Sequence, residues 1–312
     1  MRIAIFGSGG VGGYFGGRLA ELGEDVTFIA RGTHLRAMLK SGLRVDSIAG
    51  NFKLNKLNAT DNPKQVGFVD YVICTVKSWQ IPIAAKAMQP MIGPETLVIP
   101  LQNGVEAPGQ LIEVLGEDAV LGGLCAIISF KAGPGHIKHI GANPLIRFGH
   151  LDNHADPRIN TLSELFNRCD GVKSSIPDDI IVAMWQKFLL ISAWSGVAAV
   201  TRAPIGILLQ QAETRQMLLD AMQEICDLAL ARDIDMPADS IQKTMNALEG
   251  FPANSTTSMQ RDLEQRLPSE LDVQNGAVVR LAEAVGVDTP VNRFILGSLR
   301  SQELRARGAL KF

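Results

Sequence analysis

Gly7-Ser8-Gly9-Gly10-Val11-Gly12 fits the pattern G-x-G-x-x-G. The apolar run 3–6 precedes it, and Val11, Phe15, Leu19 and Leu22 follow at helical spacing. The glycines therefore join a strand to a helix, the setting in which this pattern binds a dinucleotide. Gly7 would permit the tight turn, Gly9 would let the backbone approach a pyrophosphate, and Gly12 would let helix and strand pack closely. With Ser8, Gly10 and Val11 they form a loop whose following helix presents free N–H groups to an anion. A glycine-rich turn with no ligand is the plainer alternative. Sites that read an unphosphorylated ribose carry Asp or Glu about 20 residues further on. Here that position reads Ala30-Arg31-Gly32, and the nearest acids, Glu24 and Asp25, come too early. The planar fork of Arg31 suits a 2′-phosphate, so NADP is expected in preference to NAD, unless Arg31 is simply a solvated side chain.

The elements around this loop alternate. Strands are predicted at 3–6, 26–30, 70–76, 96–100 and 120–129, and helices at 11–22, 34–40, 83–91 and 105–115. Such alternation means βαβ units and a mostly parallel sheet. A short hairpin is expected around Gly50-Asn51. Residues 128–148, with a Gly133-Pro134-Gly135 turn, read as antiparallel strands added to that sheet. Beyond Pro177 the pattern becomes helical at 180–200, 214–231, 240–248, 269–285 and 293–306. The expected fold is an α/β Rossmann-type domain over residues 1–177 followed by an all-α helical bundle over residues 178–312.

Composition narrows the function classes. The chain has 312 residues, 30 Lys plus Arg against 32 Asp plus Glu, and a net charge of −2. No global field would draw in nucleic acid or an anionic membrane. The run 188–200 is shorter than the about 20 residues of a membrane span, and the apolar run 3–6 reads as too short for a signal peptide, with no cleavage site after it. Cys74, Cys125, Cys169 and Cys226 form no CxxC pair and read as free thiols in a reducing compartment, so a cytoplasmic protein is expected. His136-x-x-His139, with His150, Asp152 and His154, suggests a metal. Residues three apart on a strand point to opposite faces, however, and no metal is expected.

The sequence resembles the ketopantoate reductase (2-dehydropantoate 2-reductase) family. The resemblance rests on the loop with Arg31, Thr75-Val76-Lys77-Ser78-Trp79-Gln80, Leu101-Gln102-Asn103-Gly104-Val105-Glu106, Trp185-Gln186-Lys187, Asn254-Ser255-Thr256-Thr257-Ser258-Met259 and Ser269-Glu270-Leu271-Asp272, in order along the whole chain. It implies NADPH-dependent reduction of a 2-oxo acid, a step of pantothenate biosynthesis. Lys77 and Asn103, which follow two strands, would hold the cofactor ribose and the substrate, and the chain at Ala126 and Ile127 would border the nicotinamide. Lys187 would be the general acid. A lysine in so apolar a run either snorkels to water or faces a polar cleft, and an alkoxide left by hydride transfer needs a proton and a nearby positive charge. Glu270, read as lying in the first turn of a helix capped by Ser269, would stand beside Lys187 and the cofactor. Asn254 and Ser258 would hold the substrate carboxylate.

Three positions depart from the family. Where its members commonly carry Asn, this chain has Ile191 and Ser195, four and eight residues after Lys187 on one helix face, and Ile205. A site that hydrogen-bonds a substrate hydroxyl discriminates through such groups. The alternative is therefore a paralogous 2-hydroxy-acid dehydrogenase, of the D-mandelate type, acting on a more apolar 2-oxo acid. An alternative of another class is a non-catalytic dinucleotide-binding sensor. The expected partners are a small-molecule 2-oxo acid and, through the helical half, a second copy of the chain.

Overall fold

A computed structural model describes residues 1–311, the side chain of Ala142 excepted. It divides into two compact units. The first comprises Met1–Gln102 and Ala107–Ile180, and the second comprises Asn103–Glu106 and Ile181–Phe312.

In the first unit the elements run β1 (Arg2–Phe6), α1 (Gly10–Glu21), β2 (Asp25–Ile29), α2 (Gly32–Ser41), β3 (Leu43–Ser47), β4 (Phe52–Leu54), β5 (Asn58–Thr60), β6 (Tyr71–Cys74), α3 (Ile81–Met88), β7 (Leu97–Pro100), α4 (Ala107–Leu115), β8 (Gly122–Gly133), β9 (His136–Gly149), α5 (Pro157–Asn167) and β10 (Lys173–Ser175). Five strands make a parallel sheet in the order β5-β2-β1-β6-β7. Alternation along its strands sorts side chains between two cores. Ile3, Ile5, Tyr71, Ile73, Leu97 and Ile99 join one with Phe15 and Leu19 of α1, Ile146 and Phe148 of β9, and Leu162 and Phe166 of α5. Ala4, Phe6, Val72, Cys74 and Val98 join the other with Ile81, Ala85 and Met88 of α3 and Leu111 of α4.

The expected hairpins both form. β3 pairs antiparallel with β4, and β8 with β9. The latter does not extend the parallel sheet, as its sequence suggested. It belongs to a second sheet in which β9 also pairs parallel with β3 and β10. That pairing brings together strands far apart in sequence, which local periodicity cannot report.

The second unit consists of α6 (Ile180–Thr201, whose first residue is grouped with the first unit), α7 (Ile205–Gln210), α8 (Ala212–Ala231), α9 (Ser240–Glu249), α10 (Ser258–Glu264), α11 (Asn275–Glu283) and α12 (Pro290–Ala306). The described residues add no strand there. α6 is long and apolar enough to cross a membrane, but two thirds of that stretch (67%) is buried inside the protein. A helix apolar all round belongs in a core, and Phe188, Leu189, Ala193 and Val197 pack against Leu218, Met222 and Ile225 of α8 and Val278 and Ile295 of α11 and α12 within one cluster.

A buried polar chain fixes these helices to one another. Glu224 of α8 accepts from the backbone N–H groups of Val291 and Asn292 at 2.6 and 2.9 Å and from Asn292 Nδ2 at 2.6 Å. Asn292 Oδ1 accepts from Asn275 Nδ2, which also donates to the Ser192 carbonyl of α6. A buried carboxylate is tolerated when its lone pairs are filled in this way.

Candidate active site

The glycine loop has the geometry that its spacing predicts. Gly7 leaves β1 at φ +105°, a region open to glycine, and Thr75 Oγ1 donates to its carbonyl. A Cβ on Gly12 would overlap both that carbonyl and Thr75 Oγ1, whereas a Cβ on Gly9 would meet nothing within 4 Å. The backbone at Gly9 is therefore open to a ligand, while Gly12 is closed against β1 and β6. Gly10 has a reason that local spacing does not reveal: a Cβ there would run into the Ser129 carbonyl of β8. α1 starts at Gly10 with no side-chain cap and no acid in its first turn. Its leading N–H groups lack intrahelical partners, and nothing negative competes for them.

Arg31 is the extended residue before α2 and is exposed. Its guanidinium has no partner among the described residues. The end of β2 carries no acid. Lys77 lies just past β6 and is exposed, its Nζ 5.7 Å from the centre of the Trp79 ring. Gln102 Nε2 holds that strand end by donating to the carbonyls of Cys74 and Val76 at 3.1 and 3.0 Å. Ile127 is half-buried beside the register shift between Ala126 and Ile128 of β8. These groups, with the hydrogen-bond openings of the loop, fit a phosphorylated dinucleotide: open N–H groups and an unpaired guanidinium for its anions, and strand ends free of competing carboxylates.

In the second unit, residues 103–106 reach Glu270. Asn103 Nδ2 donates to Glu270 Oε2 at 2.8 Å. Gly104, at φ +92°, makes this approach possible, because a Cβ would come within 2.6 Å of the Val273 carbonyl. Val105 packs on the helical core, and Glu106 pairs with Arg280 at 2.6 Å. Glu270 does not lie in a helical first turn. It precedes a 3-10 turn, Leu271–Val273, and α11 starts only at Asn275. Two contacts explain the break. Ser269 turns inward, its N–H and Oγ donating to buried Glu303 of α12 at 3.0 and 2.5 Å. Asn275 is committed to α6 and α12. Ser269 still receives the Leu271 N–H at 3.3 Å, as a cap does. Sequence reading missed Glu303 and Asn275 as supports, since neither stands out from an ordinary helix.

Lys187, Ile191 and Ser195 follow one face of α6, with Lys187 and Ile191 half-buried and Ser195 fully buried. The Ser195 hydroxyl is buried with no hydrogen-bond partner among the described residues, and the half-buried Lys187 ammonium forms no hydrogen bond or ion pair among them. Ile205 lies on α7, fully buried in the helical core. Asn254 is exposed and Ser258 half-buried at the start of α10, where the cap is Thr257, accepting from Gln260 N–H at 3.2 Å. Of the expected site residues in this unit, only Asn103 and Glu270 bond directly.

The histidines of the first unit are otherwise engaged. His136 is bound to Asp46 and His139 to Ser47. His150 and His154 stack at 3.7 Å, with Asp156 and Asp152 as their respective partners. Although His150, Asp152 and His154 each bring a ligand atom within 4.8 Å of the others, near-parallel stacked rings do not converge their lone pairs on one ion.

The sequence matches the family description "Ketopantoate reductase PanE/ApbA" over residues 3–153 and its C-terminal counterpart over residues 179–303. An uncharacterized oxidoreductase of Bacillus subtilis, YkpB, is 31% identical across 97% of this chain and 99% of its own length. A 2-dehydropantoate 2-reductase of Nostoc is 27% identical across 93% of this chain and 91% of its own. The crystal structure of a PanE/ApbA family ketopantoate reductase from Ralstonia eutropha superposes with a TM-score of 0.89 at 31% identity, covering 98% of this chain and all (100%) of that one.

Proposed function

We propose, for a chain that belongs to the ketopantoate reductase family of oxidoreductases, the NADPH-dependent reduction of 2-dehydropantoate to pantoate. The observation that carries the reading is the Asn103–Glu270 hydrogen bond, which joins the third residue past β7 to an acid of the helical unit. A bound NADPH would supply the hydride for the C2 carbonyl, its pyrophosphate on the Gly7–Gly12 loop and its 2′-phosphate on Arg31. Lys77 would contact its ribose, and Ile127 its nicotinamide.

Lys187 carries the proton. An ammonium with no acid partner among the described residues can give its hydrogen bond to the substrate oxygen, stabilise the charge developing there and then transfer the proton. Glu270, oriented by Asn103, accepts hydrogen bonds from the substrate and ribose hydroxyls. Ser258 and Asn254 take the carboxylate. The test is NADPH oxidation with 2-dehydropantoate. Lys187→Ala should lower kcat by at least ~10², the scale of general acid catalysis, with the dinucleotide Kd unchanged. A kcat near wild type, measured where chemistry limits the rate, removes Lys187 from the mechanism.

One observation favours a second reading. Ile191 is partly exposed one turn beyond Lys187, so the substrate side chain would meet a methyl surface where the family commonly offers an amide. A 2-oxo acid with a branched or aromatic side chain fits that surface.

A further inference from the structure

We infer that His34 is a positioning residue for the dinucleotide site, a neutral clamp that holds the phosphate loop and the Arg31 turn in register. The inference rests on the reading of that loop as a dinucleotide site. His34 lies three residues beyond Arg31, in the first turn of α2, and is buried. Its Nε2 lies 2.7 Å from the Ser8 carbonyl, in the middle of the glycine loop. Its Nδ1 accepts the Gly135 N–H at 3.0 Å, from the turn between β8 and β9. A backbone N–H can only donate, so Nδ1 must be the bare nitrogen, and Nε2 carries the hydrogen and donates to Ser8. The contacts fix a single tautomer.

The ring thus joins three segments that the sequence separates. The Ser8 side of the loop is otherwise held from β2, where the Ile29 carbonyl accepts Gly7 N–H at 3.2 Å and Ser8 Oγ at 3.1 Å, and from beyond β6, where Thr75 Oγ1 donates to the Gly7 carbonyl. His34 supplies the hold from α2, the helix that Arg31 introduces. The distance between the open N–H groups at Gly9 and the Arg31 guanidinium therefore depends on this ring. The pyrophosphate and the 2′-phosphate of one ligand must span that distance.

Protonation would defeat the clamp, because an Nδ1–H would face the Gly135 N–H. Burial holds the His34 ring below its ordinary value of 6.5, and Lys131 of β8 adds to this, while the bond to Ser8 opposes it. Neither the Gly7–Gly10 loop nor the Gly133–Gly135 turn carries a titratable side chain, and Arg31 before α2 and Arg36 on it are exposed. His136, the residue after the turn, is bound to Asp46. Because the folded value is lowered, the clamp is fully formed above the ordinary histidine range. It is lost as the pH falls through the lowered value.

The experiment measures NADP⁺ binding to the full chain by calorimetry from pH 8 to pH 5, for wild type, His34→Gln and His34→Phe. Gln can give its N–H to Ser8 and take the Gly135 N–H on its oxygen without titrating. Phe can do neither. The expected result at pH 8 is a Kd near wild type for His34→Gln and one about tenfold weaker for His34→Phe, the scale of one lost hydrogen bond. The 2′-phosphate itself takes up a proton near pH 6, so the comparison is between proteins. Wild type should lose about tenfold more affinity on acidification than His34→Gln. Parallel pH profiles for those two, or a wild-type Kd for His34→Phe, would overturn the clamp. Should His34→Phe not fold, the wild-type and Gln profiles decide alone. Failure of wild type to bind NADP⁺ at any pH would instead overturn the dinucleotide reading of the loop.

Discussion

Glu303 is 1% exposed and lies on α12, outside the proposed chemistry, yet Glu270 depends on it for its position. Its carboxylate accepts the Ser269 N–H at 3.0 Å, the Ser269 hydroxyl at 2.5 Å and Arg307 Nε at 2.6 Å, while Arg307 also donates to the Ser269 carbonyl at 3.0 Å. Glu303→Ala strands two buried donors one residue before Glu270 and removes the Arg307–Glu303 ion pair. Each hydrogen bond to a charged group contributes about 1.5–3 kcal/mol, and breaking a buried ion pair costs about 3–5 kcal/mol. These describe the same contacts and do not add, so the expected loss is about 4 kcal/mol. For a domain of this size a shift of ~2–4 °C per kcal/mol lowers the unfolding transition of the helical unit by roughly 8–16 °C. Scanning calorimetry reads the shift, and kcat measured well below the transition reads the displacement of Glu270. Glu303→Gln, which keeps one acceptor oxygen, should fall between. A transition within about 3 °C of wild type for Glu303→Ala, outside the range worked from these bonds, would refute the claim that this carboxylate holds the Ser269–Glu270 turn.

Arg31→Ala should weaken NADPH binding by about 10- to 100-fold, on the scale of a charge-assisted phosphate contact, and NADH binding little. Equal losses for the two, measured by fluorescence titration, would show that Arg31 does not read the 2′-phosphate. Ile191→Asn should move kcat/KM toward 2-dehydropantoate and away from a branched 2-oxo acid by about tenfold, one hydrogen bond's worth. An unchanged ratio would take Ile191 out of substrate selection. In the first unit the Arg158 guanidinium, with His150, holds the Asp156 carboxyl well below the usual carboxylate range, and Asp156 also caps α5. Its contribution is fully present above the ordinary value of 3.8 and is lost as the pH falls through the lowered one. Asp156→Asn should therefore cost about 1–3 kcal/mol at neutral pH, and its urea-unfolding curve should converge on wild type in strong acid. A constant gap down to the acid limit would contradict that account.

The parallel sheet was legible because β1, β6 and β7 are short, nearly continuous apolar runs. The glycine loop was legible because its context is local: a strand, six residues and a helix. β5 and β10 were not, since Asn58-Ala59-Thr60 and Lys173-Ser174-Ser175 carry no apolar alternation and are strands only because a neighbour supplies the hydrogen bonds. α5 went unread although Asp156-Pro157 is a cap followed by a proline at the first helical position. The helix expected over 269–285 was broken by Ser269 and Asn275, whose partners lie 34 and 83 residues away. Residue types alone singled out Arg31 and Lys187 as candidates. The reason for Gly10 and the role of Gly104 rest on backbone approaches from Ser129 and Val273, which no spacing rule encodes. Ile205, singled out beside Ile191 and Ser195, lies fully buried in the helical core.

The assignment of Asn103–Glu106 to the helical unit also limits how this protein can be divided or recombined. A fragment spanning residues 181–312 would contain Glu270 but not its amide partner, and Arg280 but not Glu106. Exchange of the helical half between relatives at the single junction near Ile180 would pair one parent's Glu270 and Val273 with the other's tetrapeptide. Any side chain larger than hydrogen at position 104 would then strike the Val273 carbonyl. Chimeras should work only when both segments come from one parent, so heredity of this site follows a discontinuous stretch of the gene.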